Sequence, residues 1–247
     1  EAIAAAERAI AAYAKAVPAR ICLLNSLAHV EASVDSVIAV ARAVLEVAPA
    51  NPIALEDLAQ ALDGCRECPL GALATQGVPG EGPRSGARLM FVGEQPGDQE
   101  DLRGRPFVGP AGQLLDRAFK DLGWPRDKVY VTNAVKHFKW VERGKRRIHQ
   151  KPSAGEVDAC RHWLDREVEL VRPDVLVALG ATALRPLFEG RATVSALRGE
   201  VRTSRYGLPA VVTVHPSAIV RIREAGERQE AFAGLVDDLR LAAKAAA

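Results

Sequence analysis

The sequence is poor in cysteine and contains no long apolar run. Four cysteines among 247 residues are too few for a small secreted domain held together by disulfides. No apolar run reaches the roughly 18 residues that a membrane-spanning helix needs. The alanine-rich first residues carry Glu1 and Glu7, which does not fit the basic and apolar pattern of a signal peptide. We therefore expect a cytoplasmic protein with no membrane partner.

A strong net charge is also missing, because the formal charge at pH 7 is only +2. The charge is nevertheless unevenly spread along the chain. Residues 1–63 contain 4 basic and 8 acidic residues, a balance of −4, so the remainder carries +6. The larger part of the chain is thus the part suited to a polyanion such as a nucleic acid.

Residues 1–52 have a composition typical of helices, since alanine dominates and Glu, Arg and Lys are mixed in. Pro18 and Pro49 interrupt the pattern, because proline is disfavoured inside a helix. The segment contains no motif with a chemical function. We predict a separate helical unit, either an oligomerisation element that makes the protein a homo-oligomer or a fused, designed element. Residues 53–247 form the second predicted domain.

From Gly64 onward, apolar runs rich in β-branched residues alternate with helical patterns. This alternation predicts an α/β fold of three layers, α/β/α, around a central four-stranded parallel sheet. The predicted strands are RLMFVG (88–93), VYVTNAV (129–135), DVLVALG (174–180) and AVVTVH (210–215), and the predicted helices cover 55–63, 111–123, 154–171, 181–188 and the chain from about 228.

Three of the four predicted strands end in suggestive polar residues. They are Gly93-Glu94-Gln95, Asn133 and His215-Pro216-Ser217. In parallel sheets covered by helices, ligands bind beyond the carboxyl ends of the strands. We therefore expect these three groups to lie at one rim of the sheet.

Two further features indicate chemistry. Cys65 and Cys68 form a C-x2-C pair, which in a chain with no export signal indicates metal binding or redox chemistry. The stretch GKRRIHQKP (144–152) is strongly basic, as expected of a loop that contacts phosphate groups. It contains one histidine, His149, and composition alone does not distinguish an ordinary loop residue from a reactive group.

These motifs together resemble one known family. The stretches FVGEQPGDQEDLRGRPFVGPAGQLL, VTNAVK and VHPSAIVR, with the C-x2-C pair, resemble the family-4 uracil-DNA glycosylases. GEQPGDQED followed by KRRIHQ is similar to the UdgX branch, whose members become covalently attached to uracil-containing DNA. The resemblance covers about residues 55 to 243. It implies uracil-containing DNA as the partner, with single strands preferred, and a bacterial nucleoid-associated location.

The resemblance also implies an iron–sulfur cluster. Three of the family's ligand positions correspond to Cys65, Cys68 and Cys160. The remaining ligand, a cysteine in ordinary family-4 enzymes, corresponds to His137. Histidine replaces cysteine in Rieske centres, so we expect a [4Fe–4S] cluster with three cysteine ligands and one histidine. Zinc suits the same donor set, and buried thiols without a metal are a further alternative.

A base pocket follows from the same resemblance. A glycosylase takes the base out of the stack and contacts its polar edge. Asn133 both donates and accepts hydrogen bonds, which suits the carbonyl and imide N–H groups of uracil. Phe107 corresponds to the residue that stacks on the uracil ring, and the backbone from Gly93 to Gln95 adds hydrogen bonds.

Four residues are implied in cleavage. Glu94 corresponds to the family's acidic residue, which can stabilise positive charge on the sugar and activate the nucleophile. His215 corresponds to the residue that stabilises the leaving uracilate, and His149 to the nucleophile that attacks C1′ of the deoxyribose. Gln95 stands where ordinary members carry alanine, and it could hold either Glu94 or the attacking group. The implied DNA contacts are Lys145, Arg146, Arg147, Ser217 and Arg221.

Two alternatives remain open at this point. An ordinary turnover glycosylase would use Glu94 to activate water and would release uracil repeatedly. A non-catalytic protein that binds uracil-containing DNA, or a scaffold protein, would use the N-terminal helices for assembly.

Overall fold

The computed structural model describes residues 52–84, 86–190 and 192–246, without the side chains of residues 52–54. The helices predicted within residues 1–50 lie outside the described residues. The domain boundary and the oligomer interface predicted there therefore stay predictions. In the described part of the chain, no helix has both the length and the apolar character needed to cross a membrane. The expected cytoplasmic location stays a prediction.

Helices and strands alternate along most of the described chain. The helices are α1 (Pro52–Asp63), α2 (Leu70–Leu73), α3 (Asp98–Arg103), α4 (Pro110–Asp121), α5 (Ala154–Val171), α6 (Ala181–Leu187), α7 (Val194–Leu197), α8 (Pro216–Val220) and α9 (Ala225–Ala245). The strands are β1 (Leu89–Gly93), β2 (Tyr130–Asn133), β3 (Trp140–Arg143), β4 (Arg146–His149), β5 (Val175–Leu179), β6 (Val201–Thr203) and β7 (Pro209–Thr213).

A five-stranded sheet in the order β2-β1-β5-β7-β6 forms the centre of the fold. The strands β1, β2, β5 and β7 are parallel, which confirms the predicted parallel sheet of four strands. Their residues are almost all buried, as expected when helices cover both faces. The short strand β6 adds an antiparallel edge to the predicted sheet. Its three residues are exposed, so no apolar run marks it in the sequence.

Successive residues of a strand point to opposite faces of the sheet, and they divide the apolar core into two layers. On one face, Val92 belongs to a core cluster with Leu164 of α5. On the other face, Phe91 packs edge-on against Phe119 of α4, with 4.9 Å between the ring centroids, and Leu235 of α9 joins the same cluster. The predicted three-layer α/β/α architecture is therefore confirmed.

The strands β3 and β4 form an antiparallel hairpin with a two-residue turn at Gly144 and Lys145. Gly144 has a φ of 62°, and glycine is typical of such turns because they need a positive φ. The prediction of a loop for residues 144–152 is corrected here, since His149 is the last residue of a strand and pairs with Trp140. Five of the ten residues from Trp140 to His149 are charged, so the apolar alternation that marks a strand is absent.

Candidate active site

The carboxyl ends of β1 and β2 bring predicted site residues together at the rim of the sheet. Gly93 ends β1 and is paired with Asn133, which ends β2. Beyond the strands, the N–H groups of Ala134 and Val135 donate to the carbonyl oxygens of Gly93 and Glu94, at 2.9 and 3.0 Å. The two segments therefore stay side by side past the sheet, and Glu94 leaves it next to the Asn133 segment.

Two side chains contact the carboxylate of Glu94. Its Oε1 lies 3.3 Å from Nε2 of His149, and its Oε2 accepts a hydrogen bond from Oγ1 of Thr182. Burial raises the pKa of Glu94, but the hydrogen bonds from His149 and Thr182 are the main effects that oppose burial. The net pKa therefore lies below the ordinary value. Glu94 is a carboxylate at neutral pH, able to attract positive charge or to accept a proton.

Thr182 is a site residue that no motif singles out. It lies at the start of α6 and follows Gly180, the cap of that helix. Gly180 has a φ of 84°, and a Cβ added to it would lie 2.8 Å from the Cβ of His215. Glycine is therefore needed at this position. The only signal for Thr182 in the sequence is its place after the carboxyl end of a predicted parallel strand.

His215 precedes α8 and approaches the site from β7. Its Nδ1 accepts a hydrogen bond from the backbone N–H of Ser217 at 3.1 Å and lies 2.8 Å from the Ser217 hydroxyl. Burial lowers the pKa of His215 to about 4, and the charge of Glu94 opposes this shift only in part. The ring is therefore neutral near pH 7. Because Nδ1 accepts from the backbone, the one ring proton lies on Nε2, which can donate to a developing anion.

The predicted base-contacting residues group around Gly93. A Cβ added to Gly93 would overlap both Oδ1 of Asn133 and the ring of Phe107. The Phe107 ring is stacked on that of His215, with an interplanar angle of 27° and 6.0 Å between centroids. An amide, an aromatic face and a neutral imidazole thus surround one point of the rim, a combination that suits a flat polar ring.

The backbone of Phe107 is held in a rare conformation. Its φ of 56° costs a bulky residue about 1–3 kcal/mol, so the surrounding structure must impose it. The chain of α4 passes so close that a Cβ on Gly112 would collide with the Phe107 carbonyl. The buried carboxylate of Glu100 accepts hydrogen bonds from the N–H groups of Gly97 at 3.1 Å and Gly109 at 2.7 Å. Glu100 therefore ties the loop after β1 to the loop that carries Phe107.

Gln95 bonds to the base of the hairpin, not to Glu94. Its Nε2 donates to the carbonyl oxygens of Gln150 at 2.9 Å and Lys139 at 3.3 Å. Its Oε1 accepts from the N–H of Lys139 at 3.0 Å. These bonds bracket the hairpin that ends in His149. Of the two roles that the sequence leaves open for Gln95, the bonds favour the one in which it holds the hairpin that carries His149.

Arg147 is held by acidic residues of α3. Its Nε lies 2.6 Å from Oδ1 of Asp98, and its Nη1 lies 2.5 Å from Oδ2 of the fully buried Asp101. The guanidinium group also lies over the rings of Phe138 and Trp140, 5.5 Å from each centroid. The predicted phosphate contact of Arg147 therefore finds no support in its placement, because its charge is already paired and it anchors the side of the hairpin.

The other predicted DNA contacts fall into two groups. Lys145 and Arg146 are exposed at the hairpin turn, where phosphate groups can reach them. Arg221 is also exposed, and its Nη2 donates to Oγ of Ser217 at 3.4 Å. The Ser217 hydroxyl contacts Nδ1 of His215 as well, a contact that can orient the imidazole.

The three cysteines among the four predicted metal ligands influence one another electrostatically. Burial raises the pKa of Cys160 to about 12, and the thiols of Cys68 and Cys65 add to this shift while the Lys136 charge opposes it. His137 is hydrogen-bonded to a backbone group of Leu62. In residues 52–246 as described, no group of three or more His, Cys, Asp or Glu side chains has the geometry of a metal site.

The chemistry of the donor set nevertheless fits an iron–sulfur cluster. Thiolates are the usual ligands of such clusters, and hydrogen bonds to their sulfur atoms tune them. The backbone N–H of Lys136 donates to Sγ of Cys160 at 3.2 Å. Burial lowers the pKa of His137, which favours the neutral imidazole that binds metals.

The fold and the rim define an α/β protein whose site combines a carboxylate with two histidines. Residues 79–240 match the family model of the uracil DNA glycosylase superfamily, and the chain belongs to this superfamily.

Several curated relatives are described as Type-4 uracil-DNA glycosylases. The chain is 38% identical over 170 residues to the Type-4 uracil-DNA glycosylase of Thermotoga maritima, which covers 68% of this chain and 84% of the relative. It is 36% identical over 173 residues to the Type-4 uracil-DNA glycosylase of Sulfurisphaera tokodaii, and this match covers 66% of this chain and 74% of the relative. It is 35% identical over 173 residues to the Type-4 uracil-DNA glycosylase of Archaeoglobus fulgidus, and this match covers 67% of this chain and 83% of the relative.

Proposed function

We propose that the protein excises uracil from DNA and then remains covalently attached to the sugar through His149. The superfamily and the Type-4 relatives support uracil excision. One observation carries the covalent step, namely that Nε2 of His149 lies 3.3 Å from the Glu94 carboxylate. In this proposal the histidine ring takes the role that an activated water has in the turnover alternative.

Excision breaks the bond between C1′ of the deoxyribose and N1 of uracil. The bonding electron pair leaves with uracil, so positive charge builds on the sugar. The ionised Glu94 stabilises that positive charge, and Nε2–H of His215 donates to an oxygen of the departing uracilate. Asn133 bonds the polar edge of the base, and Phe107 covers its face.

The covalent step needs no water. Nε2 of His149 forms a bond to C1′ while Glu94 accepts the proton that Nε2 carried. That proton then passes to the uracilate, directly or through solvent, so that neutral uracil leaves and Glu94 is a carboxylate again. The products are uracil and a histidine–sugar bond, and the protein is consumed. Gln95 supports this step because it holds both ends of the hairpin.

A denaturing gel with a single-stranded oligonucleotide tests the proposal. With one uracil in the strand, we expect a protein–DNA band that survives hot SDS, in one-to-one stoichiometry with the uracil released. The same strand with thymine gives no band. His149→Ser abolishes the band, and His162→Ser, an exposed histidine on α5, is the matched control that keeps it.

Each other outcome has a clear meaning. If His149→Ser still forms the band, another residue is the nucleophile. Many uracils released per protein would establish the turnover alternative, in which Glu94 activates water. Binding without any uracil release would establish the non-catalytic alternative.

We further propose that Cys65, Cys68, His137 and Cys160 hold a [4Fe–4S] cluster. Bound there, the cluster would supply structural stabilisation and no step of the reaction. It would fix the chain between residues 137 and 160, which includes the hairpin and His149. Visible absorbance and equal amounts of iron and sulfide would support the cluster, and zinc without visible absorbance would refute it.

DNA is the partner that this function requires. The exposed Lys145, Arg146 and Arg221 would contact its phosphate groups. We also propose that single strands are preferred, because flipping a base costs less where it is unpaired. Association with the nucleoid and oligomerisation through residues 1–52 belong to the same proposal, and light scattering of the full chain tests the second.

A further inference from the structure

A buried ion pair lies next to the base-contacting rim. The Nζ atom of Lys136 is 2.6 Å from Oε2 of Glu167, and both side chains are 0% exposed. Removing two charges from water is costly, and an apolar pair of similar volume often stabilises a fold equally well. Stability alone therefore does not account for this pair, and its other contacts indicate a second role.

The ammonium group of Lys136 uses all three of its N–H groups. Besides Glu167, it donates to Oγ1 of Thr132 at 2.5 Å and to the backbone carbonyl of Asn133 at 2.8 Å. One acceptor is thus the main chain of the residue whose side chain faces Gly93. The ammonium group fixes that main chain in direction as well as in distance.

Glu167 is bonded as completely as its partner. Its Oε2 also accepts from the Thr132 hydroxyl at 2.7 Å, and its Oε1 accepts from the N–H of Gly80 at 2.8 Å. Burial, the charge of Glu167 and a hydrogen bond to it raise the pKa of Tyr130 well above its usual range. The carboxylate therefore joins β2 to α5 and to the chain before β1.

The main chain of Lys136 is attached to α5 at a second point. Its N–H donates to Sγ of Cys160 at 3.2 Å, and Cys160 lies on the same face of α5 as Glu167, two turns earlier. The N–H of Val135 donates to the Glu94 carbonyl. The short segment from Asn133 to Lys136 is thus fixed between α5 and the Glu94 segment.

We infer that Lys136 is a positioning residue for Asn133 and that it acts through the buried pair with Glu167. The pair holds the Asn133 backbone so that the side-chain amide meets the polar edge of the base. The inference rests on the proposed function, because it takes Asn133 as the base-contacting group. The pair then controls discrimination between bases and leaves the affinity for the DNA backbone unchanged.

The test uses the double variant Lys136→Met with Glu167→Gln in the full chain. Both charges are removed together, because either one left alone in the core would be unpaired and would unfold the protein. We expect single-turnover uracil release to fall about 10- to 100-fold, as a displaced positioning group would cause. The Kd for a thymine-containing strand stays within about twofold. Arg88→Met with Asp174→Asn removes an exposed ion pair that precedes β1 and β5 and serves as the control.

A mutant cycle with Asn133→Ala separates positioning from general destabilisation. If Lys136 acts through Asn133, the double variant has no further effect once Asn133→Ala is present. Binding to a strand with 2′-fluorinated deoxyuridine, whose glycosidic bond resists cleavage, gives the same comparison without catalysis. We expect the preference for this strand over the thymine strand to be lost in Asn133→Ala, in the double variant and in the triple variant alike.

Two results overturn the inference. The first is that the double variant keeps the wild-type preference for the fluorinated uracil strand over the thymine strand. The second is that the losses in uracil release caused by the double variant and by Asn133→Ala multiply in the triple variant, which would indicate a structural role independent of Asn133. Failure of the proposed function has a different signature, because the wild-type protein would then release no uracil in the same assay. If the wild type releases uracil and the effects multiply, only the role of Lys136 is refuted.

Discussion

At the scale of single residues, the site keeps one titratable group anionic and another neutral. The hydrogen bonds to Glu94 lower its pKa and keep it anionic, while burial lowers the pKa of His215 and keeps that ring neutral. In the proposed reaction, Glu94 is the anion beside the sugar and His215 the neutral donor beside the base, which matches the charges that develop as the glycosidic bond breaks. Small changes around either group should therefore alter the reaction rate.

The hydroxyl of Thr182 offers the most direct test at this scale. Thr182→Val keeps the shape of the side chain but removes the hydrogen bond to Oε2 of Glu94. Hydrogen bonds to charged groups contribute about 1.5–3 kcal/mol, so we expect single-turnover uracil release to fall about 10- to 100-fold. Thr203→Val, on the exposed edge strand β6, is the matched control and should leave the rate unchanged. An unaltered rate in Thr182→Val would show that this hydrogen bond does not support Glu94.

The positions of Glu94, Asn133 and His215 at one rim follow from sequence, because the carboxyl ends of parallel strands meet at one edge. Thr182 does not follow, since a threonine after a strand has many ordinary roles. The pairing of Arg147 with Asp98 and Asp101 joins residues more than forty positions apart. Such a pair becomes visible only when the tertiary structure is known.

At the scale of elements, the hairpin is attached to the rest of the fold at its base and along one side. Gln95 holds the base through the backbone of Lys139 and Gln150. Arg147 ties the side to α3, and α3 also carries Glu100, which orders the Phe107 loop. The short helix α3 therefore links the element that carries the proposed nucleophile to the loop that covers the base.

A salt titration of DNA binding should distinguish the hairpin residues that contact phosphate groups from the one that anchors the hairpin. The exposed Lys145 and Arg146 are expected to contact phosphate groups, so Lys145→Ala and Arg146→Ala each reduce the slope of log K against log salt by about 0.7 on single strands. Arg147→Ala leaves this slope unchanged, because its charge is already paired with Asp98 and Asp101. It should instead slow formation of the covalent product by loosening the hairpin.

The outcome for Arg147 decides between two interpretations. Fluorescence anisotropy from low to moderate salt gives the slopes, and hydrogen exchange over residues 139–150 reports the order of the hairpin. A reduced slope for Arg147→Ala with unchanged exchange would restore the phosphate contact implied by the sequence. Faster exchange with an unchanged slope supports the anchor.

At the scale of the whole molecule, the four parallel strands and the principal helices follow from sequence because burial on both faces leaves unbroken apolar runs. The predicted helix at 154–171 has the observed bounds. The edge strand β6 and the hairpin do not follow, since their residues are largely exposed or charged. The hairpin carries His149, so the least predictable element holds the residue on which the proposed covalent step depends.

The neutral state of His215 should also make the stability of the whole fold depend on pH. Its pKa is about 4 in the folded protein against an ordinary value of 6.5, so between these values the unfolded chain binds the extra proton. Stability contributed by the neutral ring is therefore present above pH 6.5 and is lost as the pH falls towards 4, by at most about 3 kcal/mol.

Urea unfolding of the wild type and of His215→Asn, followed by tryptophan fluorescence at several pH values, measures this difference. We expect the two unfolding free energies to converge as the pH falls through this window, whereas the exposed His162→Asn control follows the wild type. A constant difference between wild type and His215→Asn would mean that folding does not lower the pKa of His215, and the pH dependence derived from its burial would then be wrong.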